Sequence, residues 1–319
     1  MRWFDGDEIL RLLDMESCIH AVEAAFLARG TGRLASSSVA GLDLIGGGLH
    51  AKLGALQLSR PYAAAKINAN FPDNPAQRGL PTVQGVVILF DALSGVPLAS
   101  MDSRTITSMR TAAASAVAAR YLALPNASAV AFIGCGAQAR AHVRALACVR
   151  PITRLIAFDT KRAAADLFAS EMASLYQLEA SVPTDVRQAA RSGDIVVTST
   201  PSRQALLELG DVKQGTFIAA VGADNEHKQE IAPALLREAA VIVDDMEQCA
   251  RIGDLHHALV LGVMRPSDVR ASLDQVVAGT ATGRINDSEI VIFDSTGVAI
   301  EDVAAAAVVY ERAENAARS

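Results

Sequence analysis

An apolar run that ends in a glycine turn constrains this chain most. Residues 127–133 form the run, and Gly134-Cys135-Gly136-Ala137-Gln138-Ala139 follows at once and opens a helical pattern over about residues 137–149. A strand apolar on both faces, then a tight turn, then a helix, is the start of a parallel βαβ unit. Gly134 permits the turn, Gly136 lets a pyrophosphate approach the backbone, and Ala139 lets the helix lie close on the strand. The helix N-terminus then offers free N–H groups and partial positive charge to phosphates. Asp159 closes a second strand, 154–159, at 20 residues beyond Ala139. A carboxylate there accepts hydrogen bonds from ribose hydroxyls and repels a 2′-phosphate, which favours NAD(H). Lys161 and Arg162 stand nearby and keep NADP(H) possible. The same aspartate also suits an ordinary turn.

The alternation continues. Further buried strands are expected at 194–200, 216–221, 241–244 and 290–293, and helices at 161–175, 183–191 and 231–238. Such a series predicts an α/β fold with a Rossmann-type, doubly wound parallel sheet. Before Leu124-Pro125-Asn126 the chain reads differently. One or two amphipathic helices are expected within 7–29, and strands at 49–53, 62–71 and 82–90. Asp91-Ala92-Leu93-Ser94-Gly95 resembles a hairpin turn into a strand at 96–101. An Ala-rich helix runs over 107–124, and an Ala/Val-rich helix over 303–317 is expected to pack back on the first part.

Charge and composition exclude several classes. The 319 residues carry 29 basic and 35 acidic side chains, a formal charge of −6, against the basic surface a nucleic-acid binder needs. No apolar run reaches the roughly 18 residues of a membrane span. Acids at Asp5, Asp7 and Glu8 occupy the place of a signal peptide's apolar stretch, so a cytoplasmic location is expected. Cys18, Cys135, Cys148 and Cys249 form no C-x-x-C pair, and the six histidines show no ligand spacing. They read as buried thiols, with no metal site.

Three polar stripes stand out in the first part. As a strand, residues 62–71 put Lys66, Asn68 and Asn70 on one face and Ala65, Ile67, Ala69 and Phe71 on the other. His50 and Lys52 repeat the two-residue spacing, as do Thr82 and Gln84. A lone lysine stripe also suits solvent, but three together suggest one cleft for a small anion. Thr107 reads as an N-cap, which places Arg110 in a first helical turn, where the macrodipole opposes a cation. Such an arginine needs a partner, either a substrate carboxylate or a nearby acid. Asp224 follows a strand end in Val221-Gly222-Ala223-Asp224, where it can exchange a proton with a substrate nitrogen or cap a turn.

Together these segments resemble the ornithine cyclodeaminase/mu-crystallin family over nearly the whole length. The resemblance rests on Lys66-Ile67-Asn68-Ala69-Asn70-Phe71-Pro72-Asp73-Asn74, Gly79-Leu80-Pro81-Thr82-Val83-Gln84-Gly85 and Thr107-Ser108-Met109-Arg110-Thr111-Ala112-Ala113-Ala114. It continues through the Gly134 turn, Val196-Val197-Thr198-Ser199-Thr200-Pro201, the Asp224 segment and Phe293-Asp294-Ser295-Thr296-Gly297. It implies an α+β substrate and dimerisation domain from residues 1–124 plus 300–319, a Rossmann domain from 125–299, and a homodimer. By resemblance, Lys66 and Arg110 hold the substrate carboxylate, Asp224 is the acid/base, and Thr296 lines the substrate. Thr82, Arg110, Thr111, Gly134, Gly136, Ala137, Gln138, Asp159, Thr198, Thr200, Val221, Lys228 and Ser295 fall at dinucleotide positions.

One departure narrows the chemistry. Cyclodeaminases of the family carry an arginine upstream of a Met-Pro pair, but residues 39–45 have none, and the pair reads His50-Ala51 before Lys52. Lys52 is expected to replace that cation, with His50 beside the substrate. The resemblance then implies an NAD(P)H-dependent reductase of cyclic ketimine acids, of the Δ1-pyrroline-2-carboxylate or Δ1-piperideine-2-carboxylate type. The alternatives are ornithine cyclodeamination with bound NAD, an alanine-type amino-acid dehydrogenase, and a non-catalytic crystallin-like binding protein.

Overall fold

The structure, a computed structural model, describes residues 1–33 and 35–318. It opens with β1 (Arg2–Phe4), α1 (Gly6–Leu12), α2 (Met15–Gly30), β2 (Ala35–Leu44), β3 (Gly47–Gln57) and β4 (Pro61–Asn70). Then come α3 (Asn74–Arg78), β5 (Val83–Asp91), β6 (Pro97–Asp102) and α4 (Ser103–Leu122). The alternating part holds β7 (Ala129–Ile133), α5 (Ala137–Ala147), β8 (Arg154–Phe158), α6 (Arg162–Tyr176), β9 (Glu179–Ser181), α7 (Val186–Ser192) and β10 (Ile195–Thr198). It continues with β11 (Arg203–Leu207), β12 (Phe217–Ala220), β13 (Gln229–Ile231), α8 (Pro233–Glu238), β14 (Ala240–Val243), α9 (Met246–Ile252) and α10 (Asp254–Val260). The last elements are β15 (Ala271–Ser272), α11 (Leu273–Val277), β16 (Val291–Asp294) and α12 (Ala299–Arg318). No helix among the described residues is long and apolar enough to cross a membrane.

Contacts divide the chain into two compact units, Met1–Ala114 with Val298 onward, and Ser115–Gly297. The division falls inside α4, not at the Leu124-Pro125-Asn126 change of character, because α4 runs unbroken across it. In the first unit, six strands form one sheet in the order β1-β6-β5-β4-β3-β2. β2 to β6 pair antiparallel, and β1 joins β6 parallel. The inner face buries Leu56, Tyr62, Ala64, Val87, Leu89, Ala99 and Met101. α12 covers β3 and β4 and packs on α2. Its small side chains allow close approach: a Cβ on Gly54 would lie 2.9 Å from that of Ala299. The alternation in β4 runs opposite to the usual sense. Lys66 faces inward at 3% exposure, while Ile67 on the other face is 41% exposed.

The second unit is built on eight parallel strands in the order β15-β14-β16-β12-β10-β7-β8-β9. β8 and β9 extend to one side of β7, and β10 and β12 to the other, so the order reverses between β7 and β10. Open α/β sheets bind ligands outside the carboxyl ends of the strands at such a reversal. Every residue of β7, β10, β12, β14 and β16 is buried, which accounts for sequences that are apolar except at Thr198 and Asp294, the last residues of β10 and β16. A separate parallel pair, β11 and β13, links the chain after β10 to the chain after β12.

Three expectations need correction. α4 begins at Ser103, so Thr107 is not an N-cap and Arg110 lies well inside the helix. The dipole argument for Arg110 therefore fails. Asp102 takes the role at the helix start, accepting from Thr105 Oγ1 at 2.9 Å. Cys18, Cys135 and Cys249 are buried, but Cys148 is exposed at the C-cap of α5. The third polar stripe also fails. The register sets Gln84 opposite Ala69 and Gly85 opposite Asn68, so Gln84 falls on the far face from Lys66, and Thr82 lies just before β5.

Candidate active site

In the first unit, one cross-strand row reads Val39, Lys52, Lys66 and Val87 along β2 to β5. His50 and Asn68 form the next row on the same face. Two lysines directly opposite repel, and burial adds a desolvation cost, so the row needs a counter-charge. α12 supplies it. Lys66 Nζ donates to Asp302 Oδ1 at 2.9 Å and stands 2.8 Å from Oδ2. Arg110 Nε donates to the same Oδ1 at 2.9 Å, and its Nη1 donates to Glu301 Oε2 at 2.7 Å. All four side chains are buried. The partner that Arg110 requires is thus a pair of acids, which engage two of its three guanidinium nitrogens.

The cluster sets its own protonation. Burial lowers the Lys66 pKa to about 7, with Arg110 and Lys52 adding repulsion against the pull of Asp302. Burial also works against the Arg110 charge, but Asp302 and Glu301 more than offset it and raise its pKa. Asp302 is held below its usual range although burial opposes this, because Arg110, Lys66 and Lys52 surround it. Nearby polar atoms are buried without partners: Asn68 Oδ1, Asn70 Oδ1, Ser103 Oγ and Thr107 Oγ1. Buried polar atoms of that kind call for an explanation, and a polar ligand is one. Thr111 follows Thr107 by one helical turn and is also buried.

In the second unit, the turn after β7 has the geometry its glycines predict. Gly134 has φ +94°, and a Cβ there would lie 2.8 Å from Ser199 O and Thr200 Cγ2. A Cβ on Gly136 would meet nothing within 4 Å, which leaves open space in front of the backbone. α5 has Gly136 as N-cap with no side-chain cap on its first N–H groups, and Ala137 at its start is exposed. Asp159 accepts Cys135 N–H at 3.0 Å and Lys161 N–H at 2.9 Å, so it ties the turns after β7 and β8. A carboxylate has about four lone-pair positions, so capacity for ribose hydroxyls is left. Arg162 pairs with Asp166 at 2.8 Å. Gln138 Oε1, Ser199 Oγ and Ser295 Oγ are buried without partners, beside the ends of β7, β10 and β16. Open glycine, uncapped helix and orphaned polar atoms fit a dinucleotide, whose nicotinamide end would supply or accept hydride.

Asp224 follows β12 and is exposed. It accepts Asn225 Nδ2–H at 3.2 Å and stands 2.7 Å from Lys228 Nζ. Lys228, expected at the dinucleotide, here neutralises the candidate acid/base. Val221 donates its N–H to Thr198 O at 3.0 Å, which joins the ends of β12 and β10. One further expectation changes. Thr198 has 0% exposure, and its hydroxyl donates to Glu230 Oε2 at 2.6 Å, so no side-chain surface is left for a dinucleotide. Thr296 is 4% exposed, donates to Asp244 Oδ1 at 2.9 Å and accepts from Gln248 Nε2 at 2.8 Å. It braces the loop after β16.

Sequence reasoning missed the acids. Glu301-Asp302 stand out as two carboxylates at the start of an Ala/Val helix, a usable signal. Glu230, Asp244, Asp254 and Asp294 are all fully buried, and nothing in their local sequence marks them. Burial raises the pKa of Glu230 and Asp254, and that of Asp294 to about 7. No group of three or more His, Cys, Asp or Glu among the described residues is arranged to hold a metal ion.

Comparison with known proteins agrees with this arrangement. The chain is 40% identical over 309 residues to an alanine dehydrogenase of Archaeoglobus fulgidus, covering 96% of this chain and 93% of that one. An archaeal alanine dehydrogenase dimer with bound NAD superposes with a TM-score of 0.94 at 40% identity, covering 99% of this chain and 97% of that one. The Δ1-pyrroline-2-carboxylate reductase of Thermococcus litoralis, in complex with NADH and L-proline, gives a TM-score of 0.94 at 31% identity and covers 99% and 98%. The sequence pattern of the ornithine cyclodeaminase/mu-crystallin family matches residues 6–317, and the chain belongs to that family.

Proposed function

We propose that this protein is an NAD(H)-dependent reductase that converts a cyclic ketimine acid, with its C=N bond next to a carboxylate, into a cyclic L-amino acid. The observation that carries this reading is the buried Lys66–Asp302–Arg110–Glu301 cluster with Lys52 opposite Lys66. Lys66, Arg110 and Lys52 all act on Asp302, so positive charge is concentrated on one face of the sheet. Lys52 lies in the row that ends at Val39, within the stretch lacking the cyclodeaminase arginine, and supports its role as replacement cation. Lys66, Arg110 and Lys52 would hold the α-carboxylate. Asp224 would keep the imine nitrogen protonated, since an iminium accepts hydride far better than a neutral imine. Positioning and charge supply most of the acceleration. Asp159 favours NADH over NADPH.

A second reading, an alanine-type dehydrogenase acting on the open-chain imine of a 2-oxo acid, is favoured by the 40% identical relative. Both readings share the reduction of a C=N bond beside a carboxylate. The test follows NADH and NADPH oxidation with five- and six-membered cyclic imine acids, with pyruvate plus ammonium, and ammonia release from ornithine with catalytic NAD. Turnover of a cyclic imine acid above the others is expected. Preference for pyruvate plus ammonium selects the second reading, and ammonia from ornithine alone overturns both.

The protein is further proposed to work as a homodimer. The outer sheet face of the first unit exposes Leu53 and Ile67, beside a shallow groove lined by Ser36, Ser38, Ala55, Ala63, Ala65 and Phe90. A second copy is the occupant that the dimeric relative suggests for this face.

A further inference from the structure

Glu230 belongs to a group of buried acids in the second unit with Asp254 and Asp294, and the chemistry above does not use it. It has 0% exposure. Its Oε1 accepts Thr200 N–H at 2.6 Å, and its Oε2 accepts Thr198 Oγ1–H at 2.6 Å and Gly222 N–H at 2.8 Å. One carboxylate therefore joins the loop after β10 to the loop after β12, two residues before Asp224. The fit leaves no slack: a Cβ on Gly222 would lie 2.4 Å from Glu230 Oε1 and 2.5 Å from Thr200 O. Glu230 is itself fixed from behind. Its N–H and that of Ile231 donate to Asp254 Oδ1 at 2.7 and 2.8 Å. The N–H groups of Asp254 and Leu255 donate in turn to Asp294 at 3.2 and 2.9 Å, at the end of β16.

We propose that Glu230 is a positioning residue for the reacting end of the cofactor site, setting where Thr200 and Asp224 stand. The proposal rests on the reductase reading above. A buried carboxylate with no counter-cation among the described residues is an expensive way to hold two loops, since apolar packing would do so at less cost. It is the acceptor that can take three donors while giving none. Thr200 and Gly222 contribute backbone N–H groups, which cannot reverse, so a neutral amide in place of Glu230 must face at least one of them with its own NH2. Among the described residues Glu230 makes no hydrogen bond to the Gly134 turn or to Asp159, although Gly134 packs on Ser199 and Thr200, so cofactor affinity is expected to change less than turnover.

The test compares Glu230→Gln and Thr198→Val with the unaltered protein in three measurements. In steady-state kinetics, kcat is expected to fall about tenfold or more in Glu230→Gln and less in Thr198→Val, while the NADH dissociation constant changes less than about threefold. Hydrogen exchange is expected to quicken about tenfold over residues 198–202 and 220–226 and not over 137–147. The exchange arm needs no turnover, so it decides the proposal even if the reductase reading fails on every imine offered. Unchanged exchange in both loops, or a kcat loss matched by an equal loss of NADH binding and a collapse of thermal stability in both variants, overturns the proposal.

Discussion

Lys66 and Arg110 meet at a single oxygen of Asp302, and that shared contact governs how each responds to change. Arg110→Ala leaves Glu301 and Asp302 buried with reduced compensation and removes the proposed grip on the substrate. Breaking a desolvated charge pair costs about 3–5 kcal/mol, so kcat/KM is expected to fall by two to three orders of magnitude or more, with a lower Tm. Near-normal turnover of the imine acid by this variant would refute the assignment of Arg110. Lys66 carries a pH dependence of definite sign. Its folded pKa of about 7 lies below the ordinary lysine value of 10.5, so between these values the unfolded chain holds the proton that the folded chain has released. This group therefore adds stability as pH rises from 7 towards 10.5 and contributes no slope below 7. A carboxylate favours the charged lysine, so ligand binding at pH 8 is expected to take up a proton. Calorimetry in buffers of different ionisation enthalpy measures that uptake, and Lys66→Met is expected to abolish it.

At the scale of elements, strict patterns were legible and compensated ones were not. β7, β10, β12 and β16 announce themselves because strands buried on both faces are apolar up to their ends, where Thr198 and Asp294 close β10 and β16. β2 is almost wholly exposed, an edge strand of serines and glycine, and its alternation carries no signal. α4 starts at Ser103 and not at Thr107 because Ser103-Arg104-Thr105 contains no breaker, so the acid partners of Arg110 answer its burial and not the helix dipole. The Lys66–Asn68 stripe was legible by period, but its burial was not, because the acids that permit it come from α12, more than 230 residues away. The glycine turn was fully legible, since its requirement is local. Gly134→Ala combines a φ of +94° with a contact of 2.8 Å to Ser199 O. It is expected to lower stability by about 1–3 kcal/mol and to weaken NADH binding, measured by thermal melting and fluorescence titration.

For the whole molecule, the inverted β4 pattern carries the strongest demand on assembly. A sheet face that keeps Leu53 and Ile67 outward, while Lys66 points in, is arranged for a covering surface. Ile67→Glu, alone or with Leu53→Glu, is expected to yield a monomer by light scattering with unchanged far-UV circular dichroism. A dimer surviving the double substitution would place the interface elsewhere.

The interrupted first unit has a consequence for how the chain is made. Residues 115–297 are contiguous and can collapse as soon as they leave the ribosome, whereas Met1–Ala114 must wait for Val298 and beyond. Until then Lys66 and Arg110 lack the two acids that let them be buried, and the nascent N-terminal sheet lacks the helix that covers it. Maturation should therefore run out of sequence order, the middle before the beginning. Pulse labelling during refolding should find amides of β7 and β10 protected earlier than those of β3 and β4.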